Sequence, residues 1–313
     1  MTTSGRFFGW GLLLTANLFA AEPAEQLGKE PESGRVSASG FIKSWSGELP
    51  LVLSVPHDGG RSSMEIPDRT TGVVVRDTHS LALAEAIRQA FRTKYGRNVA
   101  LVACELSRKK VDCNRPLAEG AGGQAMAEKV WQEYHAQIGA AEQAVLVQYP
   151  HGLYLDLHSH SHPKPRIEVG FLLKPADLKL TNQQLDADPA IAARTSLRFA
   201  SLTTTAKFSE LVRGATSFGG LLGERGLAAL PSPQEKLQDN EPYFNGAYDV
   251  ATHGSRAANT LDGLQLEVPL GMRDTPEQRA VTAQALLAAV ETFFAHHYRQ
   301  KFGERGQIPP AKR

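Results

Sequence analysis

Three apolar runs far apart in this chain each lead to a residue that could bind a metal or move a proton. Leu51-Val52-Leu53-Ser54-Val55 runs through Pro56 into His57-Asp58-Gly59-Gly60, Leu153-Tyr154-Leu155-Asp156-Leu157 into His158, and Leu264-Gln265-Leu266 into Glu267. Each reads as a buried strand that delivers its polar residue near the carboxyl edge of a sheet, where open α/β sheets bind ligands. Catalytic zinc takes three protein ligands from His, Asp and Glu and leaves a position for water, whose pKa falls towards about 7 on binding. His57 and His158 are the candidate histidine ligands, each beside Gly or Ser, where the backbone can turn. Asp77 is the candidate third ligand; it opens a predicted helix in Arg76-Asp77-Thr78-His79, where its competing role is an N-cap.

Along an extended chain, His158, His160 and His162 fall on one side, so one could bind a metal while the others face solvent or substrate. His158, at the strand end, is preferred and His160 is the reserve. Glu267 lies in an apolar strand, where a carboxylate is costly without a partner or a task. It is either half of a buried ion pair with a residue such as Arg273, or a general base that takes a proton from the metal-bound water and passes it to the leaving amine. In Ser107-Arg108-Lys109-Lys110-Val111-Asp112-Cys113-Asn114-Arg115-Pro116, Arg108 and Arg115 flank a turn closed by proline. Guanidinium groups suit bidentate carboxylate binding, so the loop points to a carboxylate-bearing substrate.

The elements that must position these residues alternate. Strands are predicted at 51–55, 99–106, 153–157, 167–173 and 261–268. Between them fall amphipathic helices over 77–95, with Leu81, Ala84, Ile87, Ala90 and Phe91 inward, and over 124–147. A closing helix spans 276–298 with Val281, Leu287, Val290 and Phe294 inward; the stretch 174–260 is less periodic and reads as loops above a site. The expected fold is α/β, a mixed, largely parallel sheet with helices on both faces.

The chain has 313 residues, 42% of them hydrophobic, enough for a single domain with a substantial core, and its net charge of +1 gives no sign of a nucleic-acid surface. Arg6 followed by the apolar run Phe7 to Ala20 has the layout of a secretory signal over 1–21, with retention as an uncleaved anchor the alternative. A polar linker is expected over 22–40, the catalytic domain over 41–302 and a polar tail over 303–313, with the mature protein periplasmic or secreted and without a stable membrane span. Cys104 and Cys113 either bridge or stay as two buried thiols.

Taken together, Pro56-His57-Asp58-Gly59-Gly60, the 107–116 loop, Asp156-Leu157-His158-Ser159, Tyr243-Phe244-Asn245-Gly246 and Gln265-Leu266-Glu267 resemble successive blocks of the N-formylglutamate amidohydrolase family over most of the chain from about Leu49 to Phe294. The resemblance implies a zinc carboxypeptidase-like fold and zinc-dependent hydrolysis of a C–N amide bond. It also implies that His57, Asp77 and His158 hold one zinc ion, that Glu267 is the catalytic glutamate and that Arg108 polarises the scissile carbonyl. Asn114 and Arg115 would hold a substrate carboxylate. One departure is Gly60, which stands three residues after His57, where carboxypeptidases place their second ligand. An export signal also fits poorly with intracellular histidine breakdown. The alternatives are therefore an exported zinc carboxypeptidase or amidase for peptidoglycan or γ-glutamyl peptides and, in a different class, a non-catalytic periplasmic anion-binding protein.

Overall fold

The computed structural model describes residues 34–257 and 259–305; the segment read as a signal, most of the linker and most of the tail lie outside them. Eight strands form one sheet: β1 Arg35–Val36, β2 Ile42–Trp45, β3 Leu51–Val55, β4 Ala100–Cys104, β5 Gly152–His160, β6 Ile167–Gly170, β7 Ala229–Leu230 and β8 Leu261–Pro269. Their order is β1-β2-β4-β3-β5-β8-β6-β7. The neighbours β4-β3, β3-β5, β5-β8 and β6-β7 are parallel, while β1-β2, β2-β4 and β8-β6 are antiparallel. The sheet is thus mixed and largely parallel, as expected.

Helices α1 Ser80–Tyr95, α2 Leu117–Ala121 and α3 Ala125–Gln148 precede β5. Six short helices then occupy much of the stretch expected to be loops: α4 Pro175–Leu178, α5 Asn182–Ala187, α6 Pro189–Ala193, α7 Arg198–Thr203, α8 Phe208–Arg213 and α9 Phe218–Gly223. Their turns are too short for a periodic signal, and several start at Pro or at a Thr or Ser cap that reads as turn chemistry. Helices α10 Tyr248–His253 and α11 Pro276–Phe293 complete the chain. The chain is already paired at β1, inside the stretch expected to be linker, where the backbone N–H of Ser39 bonds to the Glu133 carboxylate.

Strand alternation divides the core. Leu51, Leu53 and Val55 of β3, Leu153, Leu155 and Leu157 of β5, and Leu264, Leu266 and Val268 of β8 pack with α1, α9 and α11. Val52, Val102 and Tyr154 point to the opposite face, against Val130, Tyr134 and Ile138 of α3. Helices therefore cover both faces. The inward residues of α11 are Ala283, Leu286, Leu287, Val290 and Phe293, and Val281, expected inward, is 61% exposed because it falls outside their 3–4 residue spacing.

The chain leaves β3 through α1 to β4 on one side, then returns through α3 to β5 on the other. The carboxyl ends of β3 and β5 therefore meet at the point where the winding reverses, the usual place for a ligand crevice in such sheets. Cys104 and Cys113 are both buried free thiols.

Candidate metal centre and cleft

The polar members of the alternating strands share one face. Register places His158 of β5 beside Glu267 of β8, and Glu267 beside Glu168 of β6; one row back, Ser54, Asp156, Gln265 and Gly170 line up across β3, β5, β8 and β6. His57 follows the end of β3. Its backbone carbonyl accepts the N–H of Asp77, which draws that residue over the sheet edge.

Asp77 is not part of α1. The helix begins at Ser80, after His79 in a left-handed conformation with φ of 67°. The N–H of Leu81, in the first turn, is bonded by Asp58 Oδ2 at 2.8 Å. With that turn served by Asp58, the Asp77 carboxylate is turned instead towards the two histidines.

His57 Nδ1, His158 Nδ1 and Asp77 Oδ2 form a triangle with sides of 3.2, 3.5 and 3.0 Å. Four ligands held tetrahedrally at 2.0–2.1 Å from zinc would be about 3.3–3.4 Å apart. The outer nitrogens explain why this triangle needs a cation. His57 Nε2 donates to Asp112 Oδ1 and His158 Nε2 donates to Asp156 Oδ2, each at 2.7 Å, because a carboxylate can only accept. With the ring protons placed there, both Nδ1 atoms present lone pairs to each other and to Asp77. A divalent ion satisfies all three, and carboxylates behind metal-binding imidazoles are the usual way of fixing their tautomer. His57, Asp77 and His158 are all buried, and their donor set fits one metal ion.

Without a metal, a proton competes for the same place. Burial opposes charging His158, yet Asp156, Asp77 and Glu267 more than offset it and hold its pKa well above the ordinary histidine value. Burial likewise pushes Asp77 up, but hydrogen bonds from His158 and His57 outweigh it and leave the carboxyl below its usual range. Asp112 is raised by burial and lowered more strongly by His57, Arg108 and Arg115.

His160 does not join this centre. Its Nε2 donates to the Arg166 carbonyl at 2.8 Å, and its Nδ1 accepts the N–H of His162 at 3.0 Å, so both nitrogens are engaged.

Glu267 forms no ion pair with Arg273. The Arg273 guanidinium donates to the carbonyls of Val268 and Thr78, whereas Glu267 Oε1 accepts from Gln265 Nε2 at 2.9 Å. Burial pushes the Glu267 carboxyl up to about 8; the charge of His158 opposes this, and Asp77, Glu168 and Asp156 reinforce it.

A cleft of about 580 Å³ opens over this row, bordered by Arg76, Arg108, Arg115 and Arg273 as well as by Asp77, His158 and Glu267. Arg108 donates to Asp112 Oδ2 at 3.2 Å and lies 3.8 Å from Asp77 Oδ1. Arg115 is half-buried and donates to the Asn114 carbonyl, which leaves guanidinium N–H groups directed elsewhere. Asn114 is deeper than a surface substrate group. Its amide donates to Gln265 Oε1 at 3.3 Å, its Oδ1 accepts the Asp249 N–H at 2.8 Å, and it borders the cleft while bracing the floor beneath His158.

The comparison with solved structures finds several distant neighbours. The chain is similar to N-formylglutamate amidohydrolase. That structure, from Ralstonia eutropha JMP134, shares 17% identity with a TM-score of 0.47, over 82% of this chain and 98% of that one. An N-acetylmuramyl-L-alanine amidase from Mycobacterium abscessus shares 15% over 78% and 98%, with a TM-score of 0.37. A putative carboxypeptidase A from Shewanella denitrificans OS-217 shares 11% over 82% and 62%, also at 0.37. No family model matches the sequence, and no curated protein matches it.

Sequence reasoning assigned no role to Asp112, Asp156 or Glu168, and placed His162 only as an imidazole facing solvent or substrate. For Asp156 the available signal was its position two residues before His158 in a strand, which puts both on one face. For Asp112 only the folded loop reveals the contact.

Proposed function

We propose that this protein is a zinc-dependent amidohydrolase that cleaves the C–N amide bond of a small, carboxylate-bearing substrate. The observation that carries this reading is the triangle of lone pairs on His57, His158 and Asp77, its histidines fixed from behind by Asp112 and Asp156, with Glu267 beside it in register. Two imidazoles and one carboxylate at tetrahedral spacing suit zinc. Bound zinc supplies Lewis acidity, polarising a carbonyl and easing deprotonation of water.

The chain's own groups supply the remainder. Glu267, buried and without an arginine partner among the described residues, is placed to accept the proton of the attacking water. Arg108, anchored by Asp112 and bordering the cleft, would polarise the scissile carbonyl, and Arg115, on the same cleft, would take the substrate carboxylate. A purely anion-binding protein would have no use for a buried, unpaired carboxylate next to its cationic centre. The amide class follows the sequence resemblance, and the N-terminal pattern favours substrates outside the cytoplasm, such as peptidoglycan or γ-glutamyl amides.

Glu267→Gln tests the reading. It keeps shape and the bond to Gln265 but cannot accept a proton, so kcat on N-formyl, N-acyl or peptide substrates should fall by roughly 10²–10⁴-fold with zinc content unchanged. Near-normal turnover in the folded variant would remove the general base and the amidohydrolase reading with it.

A further inference from the structure

Past Glu267 the cleft reaches a second imidazole that none of these roles uses. We propose that His162, in place of Glu267, gives the departing amine its proton, with Glu168 and Phe244 holding the ring in place; this rests on the amidohydrolase reading above.

The side chain is built into position from three directions. His162 Nδ1 donates to Glu168 Oε1 at 2.7 Å, and Glu168, almost fully buried, accepts the Phe244 N–H on its other oxygen at 2.7 Å. The Phe244 ring lies flat on the imidazole, with centroids 4.7 Å apart and planes within 10°. The loop carrying Phe244 is fastened to β6: Tyr243 Oη donates to the Val169 carbonyl at 2.7 Å, and Leu172 N–H to the Asn245 carbonyl at 2.6 Å. Gly170 permits this approach, since a Cβ there would fall 2.3 Å from the Gly246 nitrogen. The Tyr243-Phe244-Asn245-Gly246 block thereby gains a purpose.

With Nδ1 committed to Glu168, Nε2 is the atom left for the cleft, which His162 and Phe244 both border. His160 and His162 also stand near Glu168 as a possible metal cluster, but both His160 nitrogens are bonded to backbone groups, which argues against a second ion there. The row His158, Glu267, Glu168 sets the direction of the substrate. A substrate whose scissile bond lies beside His158 and Glu267 extends along this row towards Glu168, and His162, bonded to Glu168, borders the same cleft at that end.

The step balances. As the C–N bond breaks, its electron pair stays on nitrogen, the His162 Nε2–H bond breaks and a new N–H bond forms on the departing amine. Glu267 has taken the proton of the attacking water, and exchange with solvent resets both groups. The carboxylate on Nδ1 fixes the orientation of the ring, the same support that orients histidine in catalytic triads.

The test compares wild type and His162→Gln on two substrates with one acyl group: an alkylamide, whose amine must be protonated to leave, and a nitrophenyl ester, whose leaving group departs as an anion. Zinc content and melting temperature accompany both. kcat on the alkylamide should fall by about 10²-fold and on the ester by less than about threefold, with zinc retained. Phe244→Leu, which loosens the ring without removing it, should show the same split at smaller size. Equal losses on both substrates, or no loss on the amide, would overturn the assignment of His162 while leaving the hydrolase reading intact. A zinc-loaded wild type inactive on every amide would overturn both.

Discussion

Replacing Asp156 by Asn isolates what the carboxylate behind His158 contributes. Asp156 accepts from His158 Nε2 at 2.7 Å and from Ser54 Oγ at 2.7 Å, and no arginine among the described residues pairs with it. Asparagine can keep its oxygen towards His158 and turn its amide to Ser54, whose hydroxyl still bonds Tyr154 Oη. Shape and hydrogen bonds are thus conserved, and only the negative charge that strengthens Nδ1 as a ligand is lost. Changes of this kind weaken metal affinity by about 10–100-fold, or roughly 1.4–2.7 kcal/mol. The effect is readable as thermal protection. At free zinc set to about 100 times the wild-type Kd, binding stabilises wild type by about 2.7 kcal/mol, but a variant bound 10-fold or 100-fold more weakly by only about 1.4 or 0.4 kcal/mol. Competition with a chelator of known affinity gives Kd directly, and calorimetry at fixed free zinc gives the protection. An affinity within twofold of wild type would refute the claim that Asp156 tunes the centre through His158.

Three further outcomes follow from the same geometry. His57→Ala and His158→Ala should each lose most bound metal by elemental analysis, whereas His160→Ala should keep it, because both His160 nitrogens are already engaged. Arg115→Lys should raise KM for carboxylate substrates much more than for their esters, since an ammonium cannot reproduce the guanidinium fork; equal effects would make Arg115 structural. In metal-free protein, Glu267 titrates near 8 when folded, above the ordinary value of 4.5 for an exposed glutamate, so its contribution is fully present below about 4.5 and lost as pH rises through 8. Melting curves between pH 5 and 9 should therefore show metal-free Glu267→Gln gaining on wild type as pH rises, and parallel curves would remove burial as the cause of the shift.

Strands β3, β4, β5, β6 and β8 were legible from their apolar runs, which also located His57, His158 and Glu267 at or near strand ends, whereas β1, β2 and β7, of two to four residues, are too short to be read this way. The three long helices α1, α3 and α11 were legible from their 3–4 residue spacing. What the sequence hid was decided at long range. Asp77 looked like a helix start because an aspartate before an apolar helix usually caps it, but Asp58, nineteen positions earlier, serves the first turn of α1 instead. Asp112 lay in a basic loop whose charges drew attention to Arg108 and Arg115, and nothing local marks a carboxylate that will sit behind His57. The helices between Pro175 and Gly223 are one or two turns each, below the length at which periodicity can be seen, and are held by tertiary packing.

The two-sidedness of β5 has a practical consequence. Leu153, Leu155 and Leu157 serve the core, and Tyr154, Asp156 and His158 serve the opposite face, so one strand writes both messages in alternate letters. A slip of a single residue would exchange them, sending leucines to the cleft and an aspartate and a histidine into the oil. On the proposed zinc reading, metal stoichiometry therefore counts correctly threaded molecules. A refolded preparation with full secondary structure but substoichiometric metal would contain a misregistered fraction that circular dichroism overlooks. For anyone recombining this chain with a relative, the span Gly152–His160 is the place where a junction is least forgiving.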